Sequence, residues 1–219
     1  MPNRPLLLGH RGARAEKSIL ENTLASFDLA LAQGCDGFEF DVRISADERA
    51  VICHDEEIRG MPVAKCSAAK LALPLLHEVL ERYQSTAFLD IEIKVPGLEA
   101  ITLDLLEKYQ PTRGYVISSF LPEILIAAYG MDNELPLGLI CETPSQLSQW
   151  RTLPLQYLIP HYSLVSEVQI SEAQDAGRKV LVWTVNTMSD MKRFATWGVD
   201  GVISDHPARL ARALGSRDE

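Results

Sequence analysis

Short apolar runs alternate with longer amphipathic segments from one end of the chain to the other. Short apolar runs are typical of buried strands, and longer runs with a period near 3.6 are typical of helices. The pattern therefore predicts eight strands, at residues 6–9, 37–44, 88–93, 115–119, 137–140, 157–160, 179–184 and 201–204.

A helical segment follows each predicted strand. The first, residues 21–34, places Leu24, Phe27 and Leu31 on one stripe, opens at the capping-type residue Asn22 and closes at Gly34. Strict alternation predicts the α/β class and a (β/α)8 TIM barrel, with a doubly wound open sheet as the alternative. We expect one domain over residues 1–219, with a short insertion after the second strand unit, where "RAVICHD" adds a further run.

Length and composition agree with a folded enzyme-sized domain. The chain has 219 residues, of which 47% are hydrophobic and 23% charged. Its 21 basic and 30 acidic residues give a net charge of −9, which provides no electrostatic footprint for nucleic acid or anionic lipid. A local cationic pocket could still bind one small phosphate ester.

The cysteines and the first residues of the chain indicate the cellular compartment in which the protein is expected. Cys35, Cys53, Cys66 and Cys141 form no CxxC pair and lie in apolar surroundings, so buried thiols are predicted rather than a zinc site. The run "LLL" near the start is too short for a signal core or a membrane span. We expect a cytoplasmic protein without stable membrane insertion, and the oligomeric state is left open.

Two carboxylates interrupt the apolar run of the second strand. Glu39 and Asp41 are two residues apart, so a strand directs both to one side of the sheet. Glu92 ends the next predicted strand, at the rim where barrel enzymes place their chemistry. Oxygen ligands suit Ca²⁺ or Mg²⁺ better than zinc. The alternative is surface ion pairs with Arg43 and Lys94.

Two histidines fall at strand ends near these carboxylates. Imidazole has a pKa suited to proton transfer near neutrality, so His10 and His54 could act as one acid and one base. Each alone also fits an ordinary polar loop residue, as do His77, His161 and His206.

Cationic and aromatic residues complete the candidate site. Arg11 and Lys94 could bind a phosphate, although salt bridges to the carboxylates are the alternative. Trp183 fits either the barrel core or an apolar wall against the alcohol part of a substrate. Carboxylates, cations and paired histidines together suit phosphoryl chemistry.

In this order, "GHRG", "ENT", "FEFDVRIS", "HD", "EIK", "WTVN" and "GVDGVISDHP" resemble the glycerophosphodiester phosphodiesterase (GDPD) family, over residues 6–214. The resemblance implies a barrel that hydrolyses glycerophosphodiesters, such as glycerophosphocholine or glycerophosphoethanolamine, to sn-glycerol 3-phosphate and an alcohol. It also implies roles by position: metal ligands Glu39, Asp41 and Glu92, acid/base residues His10 and His54, and phosphate contacts Arg11 and Lys94. The similar phospholipase C barrels first form a cyclic phosphate with a substrate hydroxyl, and we expect the same here.

The chain departs from the family in one place. After "HDEE" it lacks the usual longer insertion with an Arg-Thr-Gly stretch, so we expect thin cover over the site, which leaves substrate preference and affinity open rather than the reaction itself. A lysophospholipase D, which would need an apolar path for an acyl chain, is the enzymatic alternative. A catalytically silent phosphodiester-binding barrel is the other, although a binding module has no need of a proton-transfer pair.

Overall fold

The parallel strands close on themselves into a barrel. A computed structural model describes residues 4–215. In chain order the strands are β1 (Leu6–His10), β2 (Gly37–Ile44), β3 (Ala50–Ile52), β4 (Glu57–Ile58), β5 (Met61–Pro62), β6 (Phe88–Ile93), β7 (Tyr115–Ser119), β8 (Leu137–Cys141), β9 (Tyr157–Pro160), β10 (Lys179–Val182) and β11 (Gly201–Ser204). Round the barrel the order is β1, β2, β6, β7, β8, β9, β10, β11, and β11 pairs with β1. The predicted TIM barrel is confirmed, and the open sheet is excluded.

Helices cover the outside of the barrel. They are α1 (Leu24–Ala32), α2 (Ala68–Leu71), α3 (Leu76–Tyr83), α4 (Glu99–Tyr109), α5 (Pro122–Met131), α6 (Pro144–Leu147), α7 (Glu167–Asp175), α8 (Met188–Thr196) and α9 (Pro207–Leu214). Short 3₁₀ turns occupy Val63–Lys65 and Ser148–Arg151. None of the helices described over residues 4–215 has the length and apolar character needed to cross a membrane.

The predicted cap of α1 and the predicted end of β10 are wrong, and β1 and β8 each end one residue later than predicted. Thr23, not Asn22, caps α1, because its side-chain oxygen accepts the backbone N–H of Ser26 at 3.2 Å. Asn22 has a left-handed backbone, with φ of +56°, and its side chain points elsewhere. Strand β10 ends at Val182, two residues before the predicted end, and Trp183 keeps only an isolated bridge to His161.

The alternation of side chains along each strand separates two cores. Phe38, Phe40 and Val42 of β2 face the helices, where Phe27 stacks on Phe38 with ring centroids 4.2 Å apart. Each such buried aromatic contributes about 2 kcal/mol from its removal from water. Residues of the opposite parity point into the barrel, where eight buried apolar side chains fill the interior: Leu8, Phe88, Val116, Ile140, Tyr157, Ile159, Leu181 and Ile203. The barrel is thus a packed core with its polar residues at one rim.

The glycines of "GHRG" allow the first loop to fold tightly at that rim. A side chain on Gly9 would collide with the carbonyl of Gly12, and one on Gly12, whose φ is +81°, would collide with Ser26. The Ser26 hydroxyl accepts the N–H of Ala13 at 2.8 Å and donates to the carbonyl of Arg11 at 3.0 Å. This loop fixes the backbone between the end of β1 and α1.

The segment between β2 and β6 contains the predicted short insertion. Strand β3 pairs antiparallel with β2, and a β4–β5 hairpin and α2 follow it. Their apolar side chains form a small separate cluster that includes Val51, Val63 and Leu71. Its two cysteines, Cys53 and Cys66, are buried free thiols, as are Cys35 and Cys141 elsewhere in the fold, which agrees with the prediction.

Candidate active site

A cavity of about 440 Å³ opens at the carboxyl ends of the barrel strands. Seven of the eight predicted site residues line it: His10, Arg11, Glu39, His54, Glu92, Lys94 and Trp183. The eighth, Asp41, has no exposed surface and lies beside them. The β4–β5 hairpin and α2, which follow His54, contribute none of the lining residues.

Three buried carboxylates meet at the ends of β2 and β6. Asp41 is in register with Glu92 on the neighbouring strand. Glu39 lies two residues before Asp41 on β2, so its side chain points to the same inward face. Glu39, Asp41 and Glu92 each offer an oxygen within 4.8 Å of the other two. Strand alternation is the cause, because it directs both β2 carboxylates to the face that β6 shares.

This cluster has the chemistry of a site for a hard cation. Glu39 Oε1 and Asp41 Oδ1 are buried and have no hydrogen-bond partner within residues 4–215. Burial, and then repulsion from Asp41 and Glu92, raises the pKa of Glu39 well above its ordinary value. A divalent cation would offset both the repulsion and the missing hydrogen bonds, and oxygen ligands fit Ca²⁺ or Mg²⁺. The residues present therefore fit the implied metal.

Lys94 contacts two of the three carboxylates of this candidate cation site. Its Nζ lies 2.6 Å from Glu92 Oε1 and 3.3 Å from Asp41 Oδ1. Burial acts to raise the pKa of Asp41, but Lys94 and Arg11 outweigh it and hold the pKa below its ordinary value. Of the two ion pairs that the alternative named, only the one with Lys94 is present. Arg43 instead donates from Nε to the carbonyl of His54 at 2.8 Å, and the carboxylates are buried.

Asn22 belongs to the site although the sequence pattern assigned it to a helix cap. Its Nδ2 donates to Asp41 Oδ2 at 2.7 Å, and its Oδ1 accepts the N–H of Asp41 at 3.3 Å. Asn tolerates the left-handed backbone better than most residues. That conformation turns the side chain from the helix towards β2, and it could not be read from spacing.

The imidazole of His10 is buried and oriented by a carboxylate. Its Nδ1 lies 2.7 Å from Asp205 Oδ1, and its Nε2 lies 3.8 Å from Glu39 Oε2. Burial lowers the pKa of His10, although the hydrogen bond with Asp205 opposes this. Burial acts to raise the pKa of Asp205, but hydrogen bonds with His10 and Asn186 outweigh it, and the pKa is well below its ordinary value. An ionised Asp205 can only accept, so Nδ1 of His10 carries the proton.

His54 has the same arrangement in a more open position. Its Nδ1 lies 2.7 Å from Asp55 Oδ1, and its side chain is 35% exposed against 10% for His10. The hydrogen bond from His54 lowers the pKa of Asp55. Both predicted histidines thus line one cavity, and each has its Nδ1 bonded to a carboxylate.

Arg11 connects the first loop to the acidic cluster. Its backbone N–H donates to Glu39 Oε2 at 2.9 Å, and its φ is +50°. The guanidinium bonds Glu21 at 2.7 Å and lies 3.3 Å from Asp41 Oδ2. The strained backbone and the ion pairs together hold a guanidinium at the cavity wall.

The opposite wall is apolar. Trp183 packs edge-to-face against Phe120, with ring centroids 5.6 Å apart, and its Nε1 donates to the carbonyl of Ile159 at 3.0 Å. Ile140 and Ile203 line the same cavity. Ile159 lines it too, and none of the three isoleucines could be singled out from the sequence, because apolar residues in strands look the same as core. Phe120, which directly follows β7, was not singled out either.

A fourth carboxylate, that of Asp90, also lines the cavity. It is fully buried, and the Ser118 hydroxyl donates to its Oδ1 at 2.5 Å. Burial raises the pKa of Asp90 to about 7. Asp90 was not singled out from the sequence, although a charged residue inside an apolar strand is a visible signal.

Comparison with known proteins identifies the class. The sequence profile of the Glycerophosphoryl diester phosphodiesterase family matches residues 10–102 and 66–209. A glycerophosphodiester phosphodiesterase of Caldanaerobacter subterraneus is 30% identical, over 94% of this chain and 96% of its own. The chain therefore belongs to the glycerophosphoryl diester phosphodiesterase family and is a phosphoric diester hydrolase.

Two further relatives bear on the substrate. A phosphodiesterase of Oleispira antarctica, solved in complex with the product sn-glycerol-3-phosphate, superposes with a TM-score of 0.84 at 28% identity, over 97% of this chain and 98% of its own. A human lysophospholipase D is 24% identical, over 93% of this chain and 84% of its own.

Proposed function

We propose that the protein hydrolyses glycerophosphodiesters, such as glycerophosphocholine and glycerophosphoethanolamine, to sn-glycerol 3-phosphate and an alcohol. The observation that carries this proposal is one cavity that contains two carboxylate-oriented imidazoles, His10 and His54, beside the buried acidic cluster. The Oleispira antarctica relative, with its bound sn-glycerol-3-phosphate, supports the substrate class.

The cations of the cavity would bind the phosphate. Arg11 and Lys94 line the cavity next to the carboxylates, and a guanidinium and an ammonium both suit phosphate oxygens. A divalent cation held by Glu39, Asp41 and Glu92 would supply a further fixed positive charge beside the phosphate. Trp183 and its apolar neighbours would contact the alcohol part.

The two imidazoles would move the protons. One accepts a proton from an attacking glycerol hydroxyl as its oxygen bonds to phosphorus, and the other donates a proton to the departing alcohol oxygen as its bond to phosphorus breaks. The product of that step is a cyclic phosphate. Water then opens it with the two histidines in reversed roles, so that one water is consumed and both imidazoles regain their first state.

A substrate panel tests this function. Purified protein is incubated with several glycerophosphodiesters and each divalent cation, and released glycerol 3-phosphate is measured. We expect turnover with Ca²⁺ or Mg²⁺ that stops with EDTA and returns with the metal. Turnover that is indifferent to chelation would contradict the metal assignment, and binding without any turnover would favour the silent barrel.

A second cavity favours lysophospholipase D activity as the other candidate function. It shares His54 with the catalytic cavity, and its apolar lining includes Leu20, Ile58, Leu73 and Pro74. Leu20 is 80% exposed, so its side chain is accessible to an acyl chain in this cavity. The cavity is also lined by Asn22, the partner of Asp41, so an acyl chain on a glycerol at the acidic cluster could extend into it.

Substitution of the exposed leucine separates the two activities. Leu20→Glu places a charge in the apolar groove, so turnover of lysophosphatidylcholine to lysophosphatidate and choline should fall while glycerophosphocholine turnover is retained. Ile126→Glu, at a 53% exposed position on α5, is the matched control. Equal lysolipid turnover by both variants would exclude the groove as the acyl site.

We also propose that the protein works in the cytoplasm. Its buried cysteines are free thiols among the described residues, and burial raises the pKa of Cys35 and Cys141 to about 12. Fractionation of the native host would test the compartment.

A further inference from the structure

A carboxylate without an ion-pair partner lines the catalytic cavity away from its cations. Glu142 directly follows β8, its side chain lines the cavity, and within residues 4–215 no cation lies close enough to pair with it. Strand β8 lies across the barrel from β1, since three strands separate them in either direction. Glu142 therefore stands on the rim opposite His10 and Arg11.

The position of Glu142 is fixed by the start of α6. Its backbone N–H donates to Gln146 Oε1 at 2.9 Å, and the same oxygen accepts the N–H of Thr143 at 3.0 Å. Thr143 in turn caps the helix by accepting the N–H of Gln146. These reciprocal hydrogen bonds hold the backbone of Glu142 in place before a substrate binds, which lowers the ordering cost of a contact.

An aromatic ring is available in the same cavity. Phe120 already faces a cation, since Lys94 Nζ lies 5.5 Å from its ring centroid. Trp183, which packs against Phe120 and His161, also lines the cavity, and no cation within residues 4–215 lies over its ring. An ammonium group is attracted both to an indole face and to a carboxylate.

We propose that Glu142, with Trp183, selects glycerophosphodiesters whose alcohol carries a positive charge. This inference rests on the proposed function and adds the class of head group. A zwitterionic diester that spans the mouth would place its phosphate near Arg11 and Lys94 and its ammonium near Glu142. A diester with a neutral alcohol would make the phosphate contacts with Arg11 and Lys94 but no ammonium contact with Glu142.

The test compares two substrates in one enzyme. The kcat/KM for glycerophosphocholine is divided by that for glycerophosphoglycerol, whose alcohol is neutral. Glu142→Gln should lower this ratio about three-fold, the size of one solvent-exposed charge contact, and Glu142→Lys should lower it further. Because exposed charges are screened, added salt should reduce the ratio of the unmodified protein towards that of Glu142→Gln.

The control lies at the other end of the same strand. Glu134 is exposed and precedes β8, so Glu134→Gln removes an equal charge far from the cavity and should leave the ratio unchanged. A ratio that Glu142→Gln does not change, or equal losses on both substrates, would overturn the head-group assignment. Absence of turnover of either diester by the unmodified protein would instead refute the proposed function, so the two failures are distinguishable.

Discussion

The two halves of the barrel mouth differ although they are built from the same strand type. At the ends of β1, β2 and β6 the inward residues are charged or polar, with Glu39, Asp41 and Glu92 at their centre. On β8, β9 and β11 the inward residues near the mouth are Ile140, Ile159 and Ile203. The polar half can therefore supply charge and proton transfer. The apolar half can define the shape of the cavity and exclude water from it.

The apolar half also affects the energetics of the polar half. Charges interact more strongly where neighbouring side chains exclude water, so the isoleucine wall strengthens contacts made by the buried cations and carboxylates. The same burial makes an unmatched charge costly. Variants in the polar half should therefore have large effects on activity, and conservative variants in the apolar half small ones.

The largest effect is expected at Asp41. Asp41→Asn keeps the shape but removes a charge that contacts Lys94 and Arg11, so activity should fall on the order of 10³-fold. Binding of Ca²⁺ or Mg²⁺, measured by calorimetry without substrate, should weaken in parallel. Asp104→Asn, at an exposed position on α4, is the control and should bind and turn over normally. Unchanged metal binding in Asp41→Asn would remove Asp41 from the cation site.

His54→Ala should follow closely. Loss of one proton-transfer group costs about 10² to 10⁴ in rate, and His54 is partly exposed, so the fold should be retained. Release of glycerol 3-phosphate measures the rate, and circular dichroism checks the fold. His77→Ala, on α3 away from the mouth, is the matched control. Normal turnover by His54→Ala would refute its assigned role.

Asp205→Asn tests positioning. The amide can no longer accept the Nδ1 proton of His10 as a carboxylate does, so the imidazole loses its fixed orientation and kcat should fall about 10²-fold. KM should change little, because Asp205 bonds the imidazole and is not among the residues that line the catalytic cavity. A rise in KM with normal kcat would assign Asp205 to substrate binding instead.

The predicted carboxylates of the polar half lie together in the structure, and there is a physical reason why their positions were visible in the sequence. A carboxylate inside an apolar strand is costly unless it is used, so Glu39, Asp41 and Glu92 stand out against their neighbours. The barrel itself followed from the alternation of apolar periods, because packing on both faces makes parallel strands nearly all apolar.

The rest of the site could not be read in this way. Asn22 turns towards Asp41 through a left-handed backbone, and local spacing suggested a helix cap instead. Asp205 was visible at a strand end, but its bond to His10 joins residues 195 positions apart. The isoleucines carry no signal, since an apolar residue that lines a cavity has the same sequence pattern as one in the core.

A smaller effect is expected at the aromatic wall. Trp183→Leu keeps an apolar side chain at the cavity but removes the indole ring, whose contact with a substrate ammonium is worth about 1 kcal/mol. We expect KM for glycerophosphocholine to rise about five-fold, with kcat nearly unchanged. Trp197→Leu, at a half-buried position directly after α8, removes a tryptophan that does not line the cavity and should leave KM unaltered.

The smallest effect on activity is expected at Ile203. This variant tests most directly whether the polar and apolar halves of the barrel mouth have different roles. Ile203→Val removes one methylene from a residue that is 1% exposed, which should lower the free energy of unfolding by about 1 kcal/mol. The side chain carries no charge and moves no proton, so kcat should stay within about two-fold of its normal value. Denaturant unfolding and the glycerol 3-phosphate assay measure the two quantities on one sample. A loss of activity as large as that of His54→Ala would mean that the apolar half takes part in the chemistry and that the division of the mouth into two halves is wrong.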